Sequence, residues 1–264
     1  MKRLGNPGDL SYDAYVGPPE QYDFMGATQF RLLAAFGLRE HHKVLDVGCG
    51  SLRVGRLLIP FLNTGCYFGI EPNAWLIEEA KKNEVGHDLF SVKEPSFDHN
   101  SDFEIPFDVK FDYIIAQSIF SHTGTKLFER AIERLSKNLN DNGLIFATFV
   151  DYMDEANDEQ WYYPECVGLH HTTIIRMARR NNLACRRLRW MHPRQTWYLF
   201  SRSARNIPSS LKLMSLTGDV VNCPEFKHFR IKMTLRRYWY VFESVVPRPV
   251  SSWVKKLILR FRNR

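Results

Sequence analysis

The sequence predicts an α/β protein built on a mostly parallel sheet, and three observations predict it. Strand-like and helix-like segments alternate from Lys43 to about Ser203. The first strand-like run, "KVLDVG", passes directly into the turn Gly48-Cys49-Gly50, and a helical pattern opens behind that turn. The last two strand-like runs, "LACRRLRW" and "TWYLFSRS", flank the turn "MHPRQ" and read as a hairpin that adds one antiparallel strand.

Residues 11–40 precede the first strand: "SYDAYVGPPEQYD" is turn-rich and "FMGATQFRLLAAFGL" reads as a helix. After the glycine turn, "LRVGRLLIPFL" reads as a helix ended by Asn63-Thr64-Gly65, and "CYFGIE" as the second strand. "NAWLIEEAKKNEV" is a helix with Asn73 as its N-cap and Gly86 behind its end. "DLFSV" is expected to be a short third strand and "FDYIIAQSIF" the fourth. "TKLFERAIERLSKNL" is an amphipathic helix with Leu127, Phe128, Ala131, Ile132 and Leu135 on one side. "NDNG" at 140–143 reads as a turn, "LIFATFV" as the fifth strand, and "TTIIRMARRNN" as a helix after a long acidic, aromatic loop. Three segments result: a cap over 1–40, a core domain over 41–203 and a C-terminal appendage over 204–264.

Composition bounds the function classes. Of 264 residues, 44% are hydrophobic and 25% charged, an ordinary soluble composition. No apolar run reaches the roughly 18 residues of a membrane span, and the N-terminus lacks the apolar stretch of a secretory signal. The five scattered cysteines contain no CxxC pair, so free thiols in the cytoplasm are expected and a zinc site is not. Charge is lopsided: residues 1–202 carry 23 Lys+Arg against 26 Asp+Glu, and residues 203–264 carry 13 against 3. The net charge of +7 therefore resides in the C-terminal appendage, which points to an anionic partner, a membrane surface or a nucleic acid.

The glycine turn lies at the carboxyl end of the first strand, where open parallel sheets bind their ligands. A dinucleotide-binding turn wants GxGxxG, but the third glycine position holds Arg53. No Tyr-x-x-x-Lys pair accompanies it as in a nicotinamide-dependent sugar enzyme. An adenosyl cofactor needs only the two glycines, an acidic residue before them, supplied by Asp46, and a carboxylate for the ribose hydroxyls at the end of the second strand, supplied by Glu71.

"VLDVGCGSLRVG", "YFGIEPN", "DFEIPFDVKFDYIIAQSIFSH" and "LNDNGLIFATF", in that order, resemble the motifs of class I S-adenosylmethionine-dependent methyltransferases over about residues 40–203. The resemblance implies a Rossmann-like seven-stranded sheet in the order 3-2-1-4-5-7-6 with strand 7 antiparallel. It implies S-adenosyl-L-methionine as cofactor, with Asp46, Gly48 and Gly50 in the first motif and Glu71 as the ribose clamp. It also places Asp102 at the adenine amino group, Phe103 over the ring, and Gln117 beside the methionine portion.

Methyl transfer to a hydroxyl benefits from a base. His122, just beyond the fourth strand, and His170 and His171, at the end of the long loop, are the candidates. The turn with His192, Arg194 and Gln195 is expected over the acceptor side. Asp151, Asp154 and Glu155 are acids of a type that binds divalent metals, but a solvated loop is the expectation for them and no metal is assigned. Trp161, Tyr162 and Tyr163 offer a lid or a sugar-stacking surface, and Tyr12, Tyr15 and Tyr22 candidates to close over the cofactor.

In "RPVSSWVKKLILRFRNR", Val250, Trp253, Val254, Leu257, Ile258 and Phe261 share one helical face, with basic residues on the other side. The expected function is O-methylation of a small-molecule, sugar, glycan or lipid-linked acceptor by a cytoplasmic enzyme, with residues 250–264 as a peripheral contact to the inner face of a membrane. An RNA methyltransferase using the basic tail, and a methyltransferase-like binding protein without catalysis, are the alternatives.

Overall fold

The computed structural model describes residues 6–151, 154–218 and Tyr238. Seven strands form one sheet in the order β3-β2-β1-β4-β5-β7-β6. They are β1 (Val44–Val47), β2 (Tyr67–Ile70), β3 (Ser96–Asp98), β4 (Phe111–Ala116), β5 (Leu139–Phe149), β6 (Ala184–Arg187) and β7 (Thr196–Ser201). The pairs among β1 to β5 are parallel. β7 runs antiparallel to both β5 and β6, as the terminal hairpin requires.

Eight α-helices accompany the strands among the described residues: α1 (Tyr12–Tyr15), α2 (Tyr22–Ala35), α3 (Gly55–Phe61), α4 (Ala74–Ala80), α5 (His87–Lys93), α6 (Thr125–Lys137), α7 (His171–Arg180) and α8 (Ser210–Ser215). Both faces of the sheet are covered, because β1 and β4 are apolar on both sides. Leu45, Ile114 and Ala116 enter a core with Leu127, Phe128 and Ile132 of α6. Val44, Tyr113 and Ile115 enter a second core with Leu32 and Leu33 of α2 and Leu58 of α3. Strands buried on both faces read as continuous apolar runs.

Three local readings are corrected. "DLFSV" lies in α5, and the third strand follows it as Ser96–Asp98; the segment is too short for helix and strand periodicities to be told apart. "NDNG" does not end an element. It lies within β5, where the register jumps from Phe111↔Leu139 to Tyr113↔Leu144, so these residues bulge out of the ladder. Asn73 occupies the N-cap position of α4 without a side-chain cap bond, because its amide is committed to Glu71.

The chain divides into two compact units, residues 1–218 and 219–264. The first runs past Ser203: Ile207 and Leu213 are buried in its core, and Met191 donates its amide to the Thr217 carbonyl at 2.9 Å. The amphipathic pattern of residues 250–264 lies outside the described residues.

Candidate active site

A cavity of about 320 Å³ opens where four parallel strands end. Gly48 and Gly50 follow β1, Glu71 and Asn73 follow β2, Asn100, Ser101 and Phe103 follow β3, and Gln117, Ser118 and Ile119 follow β4. The strand order reverses between β1 and β4, so the cavity sits at the topological switch point. Tyr15 and Val16 from the N-terminal segment, and His122, Trp161 and Tyr163, complete its walls.

The glycine turn needs its glycines. Gly48 has φ +65° and Gly50 φ +54°, conformations that cost little only without a Cβ. A Cβ on Gly48 would lie 2.0 Å from Ile119 Cδ1, and one on Gly50 2.6 Å from Val16 Cγ1. Ser118 and Phe103, both lining the cavity, also have positive φ, +60° and +67°. Backbone strain of this kind gathers at functional sites. Ser118 is held in it by a 2.7 Å bond from its amide to Thr148 Oγ1.

Glu71 organises the floor. Its carboxylate is 6% exposed; Oε2 accepts from the Gly50 amide at 3.0 Å, and Oε1 accepts from the Asn73 amide at 3.0 Å and side chain at 2.8 Å. Each carboxylate oxygen has two lone pairs, so Oε1 is filled and Oε2 keeps one acceptor site for a ligand hydroxyl.

Asp46 is buried and is not among the cavity-lining residues. It accepts the Tyr67 hydroxyl at 2.9 Å. Burial pushes its carboxyl up to about 7, against the opposing effect of that hydrogen bond.

Gln117 is buried and meets the Gln29 amide at 3.2 Å, the His192 Nε2 at 3.1 Å and the guanidinium of Arg53. Arg53 also donates to the Val16 carbonyl at 2.8 Å and lines the cavity. Phe103 stacks on Trp161, centroids 5.4 Å apart, and the Trp161 indole N–H donates to the Ser101 carbonyl at 3.1 Å.

His122 is the one candidate base that lines the cavity. Its Nδ1 sits 2.5 Å from the Glu165 carbonyl, an acceptor only, so Nδ1 carries the proton and Nε2 is the basic nitrogen. Burial lowers the imidazole's pKa, partly offset by that carbonyl.

Other expected site residues lie elsewhere. Asp102 is not in the cavity wall: it pairs with Arg134 at 3.2 Å, and Asn100 and Ser101 take the positions after β3. His170 occupies the N-cap position of α7 without a side-chain cap bond, with its backbone amide on Glu155 Oε1 at 2.7 Å, and His171 Nδ1 meets the Tyr198 hydroxyl at 3.0 Å; neither lines the cavity. His192 is fully buried, and its Nδ1 accepts the Gln195 amide at 2.8 Å. Of the three N-terminal tyrosines, Tyr15 alone reaches the cavity; Tyr12 bonds Glu84 and Tyr22 bonds the Ser51 carbonyl. Asp151 pairs with Arg187 at 3.5 Å, and no three His, Cys, Asp or Glu side chains gather as a metal-holding group among the described residues.

The long loop is docked rather than loose. Its backbone is bonded to the segment after β4: Tyr162 N to His122 O at 2.7 Å, Gly124 N to Gln160 O at 3.0 Å, Thr125 N to Ala156 O at 2.7 Å and Val167 N to Ser121 O at 2.8 Å. An isolated antiparallel bridge joins Thr123 to Trp161.

Residues 45–145 match the family model described as a methyltransferase domain. The match takes in the glycine turn, Glu71 and the strands β1, β2, β3 and β4. A relative from Rickettsia prowazekii, itself uncharacterised, is 28% identical over 148 residues, which are 53% of this chain and 57% of the relative. The chain thus spans a little over half the length of that curated relative. Among solved structures, the domain's fold matches magnesium protoporphyrin IX methyltransferase from Synechocystis with bound S-adenosylmethionine at TM-score 0.52 and 16% identity, covering 69% of this chain and 83% of that one. It also matches an S-adenosylmethionine-dependent methyltransferase from Clostridium acetobutylicum at TM-score 0.50 and 12% identity, covering 74% and 93%. The described domain thus shares the fold of these class I methyltransferases, with the strand order 3-2-1-4-5-7-6 that the motifs imply.

Proposed function

We propose that this chain is an S-adenosylmethionine-dependent methyltransferase acting on a small-molecule acceptor, at an oxygen of a sugar, glycan or lipid-linked compound. The observation that carries the reading is the buried Glu71 carboxylate, bonded to the glycine turn, in a cavity at the switch point. The solved neighbours crystallised with S-adenosylmethionine or S-adenosylhomocysteine support it.

The residues present fit that cofactor. Gly48 and Gly50 leave space that a Cβ would fill, Glu71 offers an acceptor for a ribose hydroxyl on Oε2, Phe103 an aromatic face, and Asn100 and Ser101 polar groups after β3. When bound, the cofactor supplies a methyl group on a positively charged sulfur.

His122 accepts the acceptor's proton at Nε2, because its Nδ1 is held on the Glu165 carbonyl. Trp161 and Tyr163 offer aromatic surface to a ring-shaped acceptor. The basic stretch 250–264 brings the enzyme to an anionic membrane surface on the cytoplasmic side. Among the described residues no helix is long and apolar enough to cross a membrane.

Calorimetry with S-adenosylhomocysteine and with NAD tests the cofactor. S-adenosylhomocysteine is expected to bind the more tightly; tighter NAD binding, or no binding of the thioether, overturns the reading.

A further inference from the structure

The unit formed by residues 1–218 is charged unevenly. Residues 1–165 carry 15 Lys+Arg against 26 Asp+Glu, and residues 166–218 carry 10 against none. The second stretch builds α7, the β6–β7 hairpin and α8. Its bases therefore collect along the β6 edge of the sheet.

The two faces of that edge differ. On one, Cys185 is buried beneath α7 and Arg187 pairs with Asp151. On the other, Ala184 and Leu188 pack on the second core, together with Ile207 and Leu213. Strand residues alternate between faces, so Arg186 stands with Ala184 and Leu188. It is exposed, and it donates to the neutral Cys185 carbonyl at 3.0 Å.

α8 lies on the same face. Leu213 is its buried residue, while Leu211 is 80% and Met214 51% exposed. Three residues apart, these two share one side of the helix. Lys212 between them and Arg205 ahead of the helix are exposed as well. Bases on an outer strand have an ordinary use, since they oppose pairing with a second sheet. That use does not explain two large aliphatic side chains held outward on α8. Surfaces that bind single-stranded nucleic acid set aromatic side chains, on which bases stack, among their cations. A lipid surface fits both features, because anionic headgroups meet the bases and aliphatic side chains enter the boundary beneath them. Residues 219–264 carry 11 Lys+Arg against 3 Asp+Glu, so charge complementarity calls for a partner outside the chain.

We infer that the α8 face is a membrane-docking surface: Leu211 and Met214 enter an anionic bilayer interface, and Arg186, Arg205 and Lys212 hold its headgroups. The inference extends the membrane reading of residues 250–264 and rests on the same class of partner, but it stands on other residues. The acidic excess of residues 1–165 is repelled by the same lipid, so the unit approaches with its basic edge first. Docking by β6 and α8 leaves the cavity between β1 and β4 uncovered.

The test is co-sedimentation of the full chain with vesicles of equal parts phosphatidylglycerol and phosphatidylcholine. Leu211→Ser with Met214→Ser should lower partitioning by about 10- to 100-fold. Arg186→Gln with Lys212→Gln should lower it by about fivefold per base. Val92→Ser, which removes an exposed apolar side chain on α5, should change it by less than about twofold. Hydrogen exchange over 209–216 should slow on the vesicles. Unchanged partitioning of the Leu211/Met214 variant overturns the inference; if deletion of 250–264 still abolishes binding, the tail reading survives alone. If that deletion changes nothing while the α8 substitutions weaken binding, the tail reading falls and the α8 surface stands. A full chain that does not partition at all overturns both. Binding to single-stranded RNA, or self-association, that depends on Arg186 and Lys212 without vesicle binding assigns the surface to another partner and overturns the inference.

Discussion

The carboxylate of Glu71 accepts the Gly50 amide at 3.0 Å, so the end of β2 and the turn after β1 are one hydrogen-bonded unit. Its other oxygen holds Asn73 at the start of α4. A ligand bound here meets a clamp whose parts are already fixed, which reduces the ordering cost of binding.

Removing the clamp should therefore weaken both binding and the fold. Glu71→Ala is expected to lose about 1.5–3 kcal/mol of S-adenosylhomocysteine affinity, the range for hydrogen bonds to a charged group. It should also lower the ligand-free melting temperature, because the Gly50 and Asn73 amides lose their acceptor. Calorimetry and thermal unfolding of the variant check both; an unchanged affinity would remove Glu71 from the cofactor site.

Asp46 makes stability depend on pH. Burial raises its carboxyl from 3.8 to about 7. The folded state keeps a proton that the unfolded chain has already released, so this group's stabilising contribution is complete below about pH 4 and is lost as pH rises through about 7. Asp46→Asn does not titrate. Relative to wild type it should gain about 2–3 kcal/mol between pH 5 and pH 8, at roughly 1.4 kcal/mol per pKa unit. Urea unfolding at the two pH values measures this, and a constant difference would contradict it.

For His122, burial holds the imidazole below its ordinary 6.5. The imidazole is neutral at pH 7, and if it is the base the methyl-transfer rate should fall only on acidification, with a midpoint below 6.5. His122→Ala should reduce the rate by about 10²–10⁴ and leave S-adenosylhomocysteine binding intact. A loss under tenfold, or an unshifted acid limb, would exclude it as the base.

Five basic residues follow Trp253, each contributing about 1 kcal/mol near an anionic membrane. The full chain should co-sediment with vesicles containing anionic lipid, and deletion of 250–264 should abolish this without changing cofactor binding. Leu257→Asp should abolish it even at low salt, since the apolar face is broken. RNA binding would instead collapse with added salt and tolerate Leu257→Asp. Equal partitioning of full-length and truncated chains removes the membrane reading.

The strands and the glycine turn were legible in the sequence because the buried strands are apolar runs followed by strong turn residues, while the sheet order followed from the resemblance carried by the four motifs. Glu71 and His122 could be placed because each follows such a strand closely. Asp102 could not, because the position of β3 decides which residues reach the cavity. That strand is only Ser96–Asp98 and lies at the sheet edge, where the pattern is weakest. Arg53 was visible only as a missing glycine; its contacts are with Val16 and Gln117, which are far from it in sequence. His170 and His171 share the right loop, but the start of α7 fixes His170 through its backbone amide on Glu155 and turns His171 toward Tyr198.

The bonds that join residues 121–126 to the loop before α7 run almost entirely between backbone atoms. Backbone bonds do not depend on side-chain identity. Trp161 and Tyr163 are thus carried on a frame built mainly from backbone bonds, while the opposite wall, built on Gly48, Gly50 and Glu71, tolerates little change. Substitutions at Trp161 and Tyr163 should therefore retune what enters from that side at less cost to the fold than substitutions at Gly48 or Gly50.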